Sequence, residues 1–295
     1  MKRADVSLTE CVQRALAEDL GRTDLSLEAD VTSRLSVPAG QPGRARILAK
    51  SPGVLAGLAC AVCAFELLDP DARIEPVMAD GARFQRGDLV LQVHCDMRAL
   101  LAAERTALNF LQRLSGIATL TRAFVDAVAG TGARILDTRK TTPGLRRLEK
   151  QAVMAGGGHN HRIGLFDQVL LKENHFALAA PLSYEQVVRR CVEGQQFPVV
   201  AEARTVEEAV AAVRGGATVV LLDNFVPGAP LRAAVDAVRQ AARELGRDVA
   251  TEASGGVDLR SVRAFAESGV DRISVGALTH SAPAADLSLL VEGLS

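Results

Sequence analysis

PVVAEARTVEEAVAAVRGGATVVLLD runs from Pro198 to Asp223 and holds two β-type runs around one helical segment. It begins with an apolar β-type run, passes through Thr205-x-x-Glu208, the pattern of a helix capping box, and ends on a second apolar β-type run. Strand, helix and strand in that order predict two parallel strands joined by a right-handed crossover. The alternation extends outward on both sides. ARILD from Ala133 and QVLLK from Gln168 precede it, while DVATEA from Asp248 and RISVGA from Arg272 follow, and Ser183-x-x-Gln186 supplies another capping box between them. Six such runs predict an α/β fold built as an incomplete barrel of about six parallel strands. An open doubly wound sheet would present the same periodicity, which does not separate the two.

Upstream the pattern changes. Ser7-Leu8-Thr9-Glu10 has capping-box form and opens a helix with Leu8, Val12, Ala15 and Leu16 on one face, running to about Leu20. Gly21 to Pro42 reads as a connection. RARILAK, from Arg44 to Lys50, alternates as a half-buried strand, followed by a helix near Leu58 to Leu68 and a strand around Ile74. The turn signals Asp80-Gly81 and Arg86-Gly87-Asp88 flank Phe84 and LVLQVHC. From Met97 to about Val128 leucines recur at helical spacing, with Gly116 marking a break. This reading places a smaller α+β sandwich domain at residues 1–114 and the barrel domain at 115–295, with the C-terminal segment packing back on the first domain.

Composition bounds what the fold can be for. A chain of 295 residues with 48% apolar and 23% charged residues is ordinary for a globular enzyme, and no apolar run reaches the length of a membrane span. Glu10, Arg14, Glu18 and Asp19 stand where a signal peptide would need apolar residues, so the expected location is the cytoplasm. Cys11, Cys60, Cys63, Cys95 and Cys191 are odd in number and scattered, which argues for reduced thiols. Cys60 and Cys63 form a lone C-x-x-C inside GLACAVCAFELL, which reads as a buried helix face. A formal charge of −1, no Trp and the single Tyr184 weigh against a nucleic-acid partner.

Positive charge is concentrated instead between Asp137 and His175. Arg139, Lys140, Arg146, Arg147, Lys150, Arg162 and Lys172 face only Asp137, Glu149, Asp167 and Glu173 there. The expected partner is a small anion. At the carboxyl ends of the six runs stand Arg139 and Lys140, then Lys172, Glu202, Asp223, Ser254-Gly255-Gly256 and Gly276, which a barrel would gather at one mouth. Lysines and arginines supply donors for carboxylate and phosphate oxygens. Glu202 and Asp223 suit a divalent metal or sugar hydroxyls, and the glycine turns can expose backbone N–H groups to a phosphate. Together these fit a phosphorylated sugar, Mg²⁺ and an anionic second substrate.

Plainer readings stand beside these. Arg146, Arg147 and Lys150, taken singly, read as a solvated helix face. Gly156-Gly157-Gly158 lacks the Lys-Ser/Thr sequel of a P-loop and reads as a turn. Cations near His159, His161 and His175 would repel a metal bound by those histidines. Lys172 could form a Schiff base, but that chemistry needs one desolvated amine rather than a crowd of cations. His94 and His280 carry no signal alone.

ERTALNFLQRLSGIATLTR from Glu104, DTRKTTPGLRRLEKQAV from Asp137, GGGHNHRIGLFDQVLLKENH from Gly156, LLDNF from Leu221, SGG at Ser254 and SVGALTHS at Ser274 carry a resemblance over almost the whole chain. In this order they resemble the nicotinate-nucleotide pyrophosphorylase, or quinolinate phosphoribosyltransferase, family. The resemblance implies that quinolinate and 5-phosphoribosyl 1-pyrophosphate give nicotinate mononucleotide, pyrophosphate and CO₂, with Mg²⁺, on the de novo route to NAD. It also implies residue roles. Arg139 and Arg162, with His161 and Lys172, grip the two carboxylates, joined by Arg105 from the neighbouring subunit of a homodimer. Lys140 faces the pyrophosphate, Glu202 and Asp223 hold ribose hydroxyls or Mg²⁺ directly or through substrate, and Ser254, Gly255 and Gly276 cradle the 5′-phosphate. Lys140, Lys172, Glu202 and Asp223 form the catalytic set.

Two departures from the family pattern are visible: Val200 stands where a first acid is usual, and GRTDLSLEAD from Gly21 is longer than the usual run. A molybdenum-associated pyrophosphorylase homologue shares the architecture, but the intact DTRKTTPG and NHRIGLFD favour the quinolinate enzyme. A barrel lyase and a non-catalytic binder of phosphorylated sugars are the rival classes. The sequence leaves open whether dimers assemble into hexamers.

Overall fold

The computed structural model describes residues 7–292. In chain order the elements are α1 (Leu8–Leu20), α2 (Val31–Ser36), β1 (Pro42–Ala49), β2 (Gly53–Val54), α3 (Leu58–Leu68), β3 (Arg73–Pro76), β4 (Arg83–Phe84) and β5 (Leu89–Asp96). Next come α4 (Met97–Ala127), β6 (Arg134–Leu136), α5 (Arg146–Ala155), β7 (Val169–Leu171), α6 (Glu173–Leu178), α7 (Tyr184–Glu193) and β8 (Val199–Ala203). The chain ends with α8 (Val206–Gly215), β9 (Val219–Asp223), α9 (Ala229–Glu244), β10 (Ala250–Ser254), α10 (Val262–Glu267), β11 (Arg272–Ser274), α11 (Ala277–His280) and β12 (Leu287–Val291). No helix among the described residues is long and apolar enough to cross a membrane. The chain gathers into two compact units, one of residues up to Arg122 with Thr141–Gly157 and the segment from Ser281, the other of Ala123–Lys140 and Gly158–His280.

In the first unit, α1 begins on a complete capping box: the Ser7 hydroxyl accepts the Glu10 N–H at 3.2 Å and the Glu10 carboxylate accepts the Ser7 N–H at 2.7 Å. It ends at Gly21, whose φ of 67° is left-handed. The antiparallel sheet has the order β12-β1-β5-β3. Strict alternation along β1 buries Ala45, Ile47 and Ala49 and leaves Arg44 and Arg46 outside, as a one-sided sheet requires. The connection after Gly21 is more structured than its composition predicts, because Asp30 caps α2 by accepting the Ser33 N–H at 3.1 Å. Cys60 is buried on α3 and its thiol is pushed up to about 12 by that burial, which fits an inert core position.

Two expectations change in this unit. Gly116 does not break α4, which runs unbroken through it. Its hydrogen faces the carbonyl of Pro283, and a Cβ there would lie 2.0 Å from that oxygen, so glycine permits a close backbone approach. Lys150 is not on a solvated face: it is 2% exposed, beside Glu149 at 0%. Glu149 is held by Arg113 Nη2 at 2.8 Å, the Thr142 hydroxyl at 2.7 Å and the Thr142 N–H at 3.1 Å, so the buried carboxylate is fully engaged. Gly156 and Gly157 form a turn as expected, and they also pack against α4, since a Cβ on them would meet the Ala118 carbonyl at 2.4 Å and Arg122 Nη2 at 2.3 Å.

The second unit contains the six parallel strands in the order β6-β11-β10-β9-β8-β7. From β7 to β11 each strand pairs with the next in sequence, and the last pairs with the first, β6. That cyclic order is a barrel's; a doubly wound sheet reverses direction. The barrel is split between β6 and β7. On that edge β6 pairs instead with extended chain at His159, whose N–H donates to the Ile135 carbonyl at 2.8 Å. Val200, Val219 and Leu221 pack together in the core, with Leu170 and Ala250 against them. The α7 capping box is complete, but α8 has half of one: Thr205 accepts the Glu208 N–H, while the Glu208 carboxylate takes the N–H of Arg204 at 2.8 Å.

The Gly116 contact makes a sign prediction. Helix propensity alone favours Gly116→Ala by about 1 kcal/mol, whereas overpacking against a backbone carbonyl costs roughly 1–3 kcal/mol. Urea denaturation is expected to show net destabilisation.

Candidate active site

A cavity of about 720 Å³ opens at the carboxyl ends of the six strands. Each strand delivers part of its lining: Thr138, Arg139 and Lys140 after β6, Lys172 after β7, Glu202 on β8, Asp223 and Asn224 at the end of β9, Ser254 to Gly256 at the end of β10, and Ser274 to Gly276 at the end of β11. His161 and Arg162 enter from the extended segment beside β6. Strand order therefore gives the cavity a polarity. Cations cluster where β6 and β7 flank the split, carboxylates stand on β8 and β9, and glycine turns follow β10 and β11.

The cationic side is prepared at some electrostatic cost. Burial, and then the like charge of Arg139, push the Arg162 guanidinium below its usual value, with Asp167 opposing them. An anion between these groups would relieve that repulsion. Arg162 sits on a loop tied by Asp167, which accepts the Ile163 N–H at 2.7 Å and the Gly164 N–H at 3.0 Å. Against the opposing effect of burial, those N–H groups hold the Asp167 carboxyl below its ordinary value. Lys140 is fixed through its carbonyl, which accepts the Thr279 hydroxyl at 2.8 Å.

Lys172 is the N-cap of α6, where its N–H donates to His175 Nδ1 at 2.9 Å. Its Nζ lies 3.9 Å from Glu202 Oε2, and its side chain is 55% exposed. A solvated amine paired with a carboxylate is poorly suited to Schiff-base chemistry, which needs desolvation. Tyr184 stacks on Phe176 with ring centroids 3.9 Å apart and donates to the Glu202 carbonyl at 2.7 Å, bracing the strand end. Burial, with Glu208 and Glu202 adding to it, pushes the Tyr184 phenol up, so it remains a donor. Val200, two residues before Glu202, belongs to the apolar core cluster, which leaves Glu202 as the strand's acid.

The glycine turns are sterically demanded. Gly255 has φ of 101°, and a Cβ there would lie 2.2 Å from Asn224 Oδ1. Asn224 is itself left-handed at φ 59° and donates through Nδ2 to Asp223 Oδ2 at 2.7 Å, orienting that carboxylate. At Gly276 a Cβ would lie 3.1 Å from Lys140 Cδ and 3.2 Å from His280 Nε2.

Of the residues singled out from sequence, Arg139, Lys140, His161, Arg162, Lys172, Glu202, Asp223, Ser254, Gly255 and Gly276 all line this one cavity. Arg105 does not. It is exposed on α4 and lines a different cavity, of about 450 Å³, in the first unit. Thr138, Asn174, Asn224 and His280 line the main cavity without having been anticipated. Asn224 was findable, since it directly follows a strand-end acid; His280 reaches the cavity only through the turn of α11. Among the described residues no group of three or more His, Cys, Asp or Glu side chains is placed to hold a metal.

Residues 30–115 match the model for the quinolinate phosphoribosyl transferase N-terminal domain, and residues 117–290 match that for the C-terminal domain. The chain belongs to the quinolinate phosphoribosyltransferase family. A relative named as a probable nicotinate-nucleotide pyrophosphorylase (carboxylating) of Bacillus subtilis is 39% identical over 284 residues, spanning 96% of this chain and 93% of that protein. A chloroplastic nicotinate-nucleotide pyrophosphorylase (carboxylating) of Arabidopsis thaliana is 39% identical over 97% of this chain and 83% of its own length. The solved nicotinate-nucleotide pyrophosphorylase of Francisella tularensis superposes with a TM-score of 0.88 at 35% identity, covering 97% of this chain and 96% of that one. The split barrel with its antiparallel companion is thus the quinolinate phosphoribosyltransferase fold.

Gly255→Ala tests the turn. Left-handed strain and the Asn224 clash should together cost roughly 1–3 kcal/mol in thermal or urea unfolding. Adding Asn224→Ala should recover only the steric part.

Proposed function

We propose that this chain transfers the phosphoribosyl group of 5-phosphoribosyl 1-pyrophosphate to quinolinate with loss of CO₂, giving nicotinate mononucleotide and pyrophosphate on the de novo route to NAD. The observation that carries this reading is the polarity of the cavity: cations for a dicarboxylate beside the split, and acids and glycine turns for a phosphorylated sugar on the opposite strands. Family membership supplies the reaction class, a pentosyl transfer.

Arg139 and Arg162, with Lys172, bind the two carboxylates of quinolinate, the guanidinium groups by planar two-point contacts. Held there, the pyridine nitrogen is oriented toward the anomeric carbon of the sugar. Lys140 offsets charge on the departing pyrophosphate. Ser254, Gly255 and Gly276 receive the 5′-phosphate through hydroxyl and backbone N–H groups. Glu202 and Asp223, on adjacent strands, are oxygen donors suited to Mg²⁺, which takes one or two carboxylates and completes its shell with substrate oxygens and water. When bound, that ion supplies charge neutralisation at the leaving group. After transfer the cationic ring nitrogen stabilises the electron pair that departing CO₂ leaves on the adjacent ring carbon, and a proton from water closes that carbon to C–H, so these residues need only orient and shield. No covalent intermediate with the protein is required.

The working unit in this reading is a homodimer in the cytoplasm, with Arg105 reaching the site of the neighbouring subunit. Its exposure on α4 and the five free cysteines are compatible with that arrangement.

Release of labelled CO₂ from quinolinate should require both the phosphoribosyl donor and Mg²⁺, and should vanish in folded Lys140→Ala and Glu202→Ala proteins. Unchanged rates in both variants would refute the assignment. Mixing Arg105→Ala and Lys172→Ala proteins under subunit exchange should restore part of the activity; none would remove the cross-subunit role of Arg105.

A further inference from the structure

Beneath the cavity floor, β10 carries a carboxylate that the reaction described above does not use. Glu252 is completely buried. A buried carboxylate is costly unless every oxygen is paired, and here only one is. Oε1 accepts the hydroxyl of Ser274 and lies 3.4 Å from His161 Nε2, while Oε2 has no hydrogen-bond partner. An orphaned buried acceptor is destabilising, so a neutral side chain of the same length would be the more stable choice if Glu252 served packing alone.

The groups around His161 show what the carboxylate does. Asp137 Oδ1 accepts the His161 backbone N–H at 2.8 Å, and the Arg162 N–H donates to His161 Nδ1 at 2.7 Å. A ring nitrogen that accepts carries no proton, so the ring proton lies on Nε2, the nitrogen facing Glu252. His161 is thereby oriented from beneath rather than from the cavity, and the Nδ1 it leaves as an acceptor fixes the backbone of Arg162. We infer that Glu252 is a positioning residue: it holds His161 as the Nε2–H tautomer and, through it, sets the Arg162 guanidinium that receives a substrate carboxylate. Ser274 completes the set by orienting Oε1. The consequence for catalysis rests on the quinolinate reading above; the tautomer does not.

Nitrogen-15 NMR of histidine-labelled full-length protein should show His161 as the Nε2–H form, and an Nδ1–H form in the wild type would overturn the inference. Glu252→Met, which keeps the length but removes the acceptor, should fold with equal or higher Tm and lose that tautomer. Its KM for quinolinate should rise about tenfold or more, as when an orienting partner is removed, with kcat and the KM for the phosphoribosyl donor within about twofold. Glu252→Gln, whose amide oxygen still accepts, should restore both tautomer and KM. An unchanged tautomer in folded Glu252→Met, or equal losses toward both substrates, would also overturn it. Absence of CO₂ release from the wild type would count against the quinolinate reading and leave the tautomer result standing.

Discussion

The parallel rungs between β6 and β11, Arg134 to Arg272 through Leu136 to Ser274, hold the two ends of the cavity lining side by side. They join the first strand of the barrel to the last. Without that pairing the strands would still run side by side from β7 to β11, but Arg139 and Lys140 would not stand beside Ser274 and Gly276. The close fit of Gly276 against Lys140, and the Thr279 hydroxyl on the Lys140 carbonyl, depend on the same juxtaposition. Leaving the split between β6 and β7 has a second effect. It opens an edge on which the segment at His159 can pair, and that segment carries His161 and Arg162 into the cavity.

What collects there is electrostatically unfavourable in isolation. Arg139 depresses the proton affinity of Arg162, and burial does so more strongly. Such a site is preorganised: the repulsion is present before any ligand arrives, and an anion placed between the two guanidinium groups would relieve it without reorganising the protein. Neighbouring acids keep the two halves distinct. Glu202 sits one strand from Lys172, close enough to temper it at 3.9 Å without neutralising the cluster, and Asn224 turns the Asp223 carboxylate.

Most of the barrel was legible because its signals are local. The six apolar runs, the Ser183 box and the residues just past each strand end follow from periodicity and capping, and they converge because the fold class makes them converge. Features set by distant partners were not legible. Gly116 looks like a helix breaker until Pro283 is seen against it, and the turn at Gly156 gives no hint in sequence of the Ala118 carbonyl packed against it. Lys150 carries a charge that composition assigns to solvent, yet its helix buries Leu148, Glu149, Ala152 and Val153 around it. The Thr205 pattern predicted a reciprocal box, but the Glu208 carboxylate accepts the Arg204 N–H instead. Asp30 gives no capping signal in sequence because a six-residue helix has too little periodicity to announce itself.

If one cavity has two chemically separate halves, equilibrium titration of each substrate against one variant from each half will separate their contributions. Arg162→Ala should weaken quinolinate binding by about tenfold or more, the loss of one charge-assisted contact, and leave the phosphoribosyl donor within about twofold. Asp223→Asn should do the reverse in the presence of Mg²⁺. If each folded variant weakens both ligands equally, the division of the site described here is wrong.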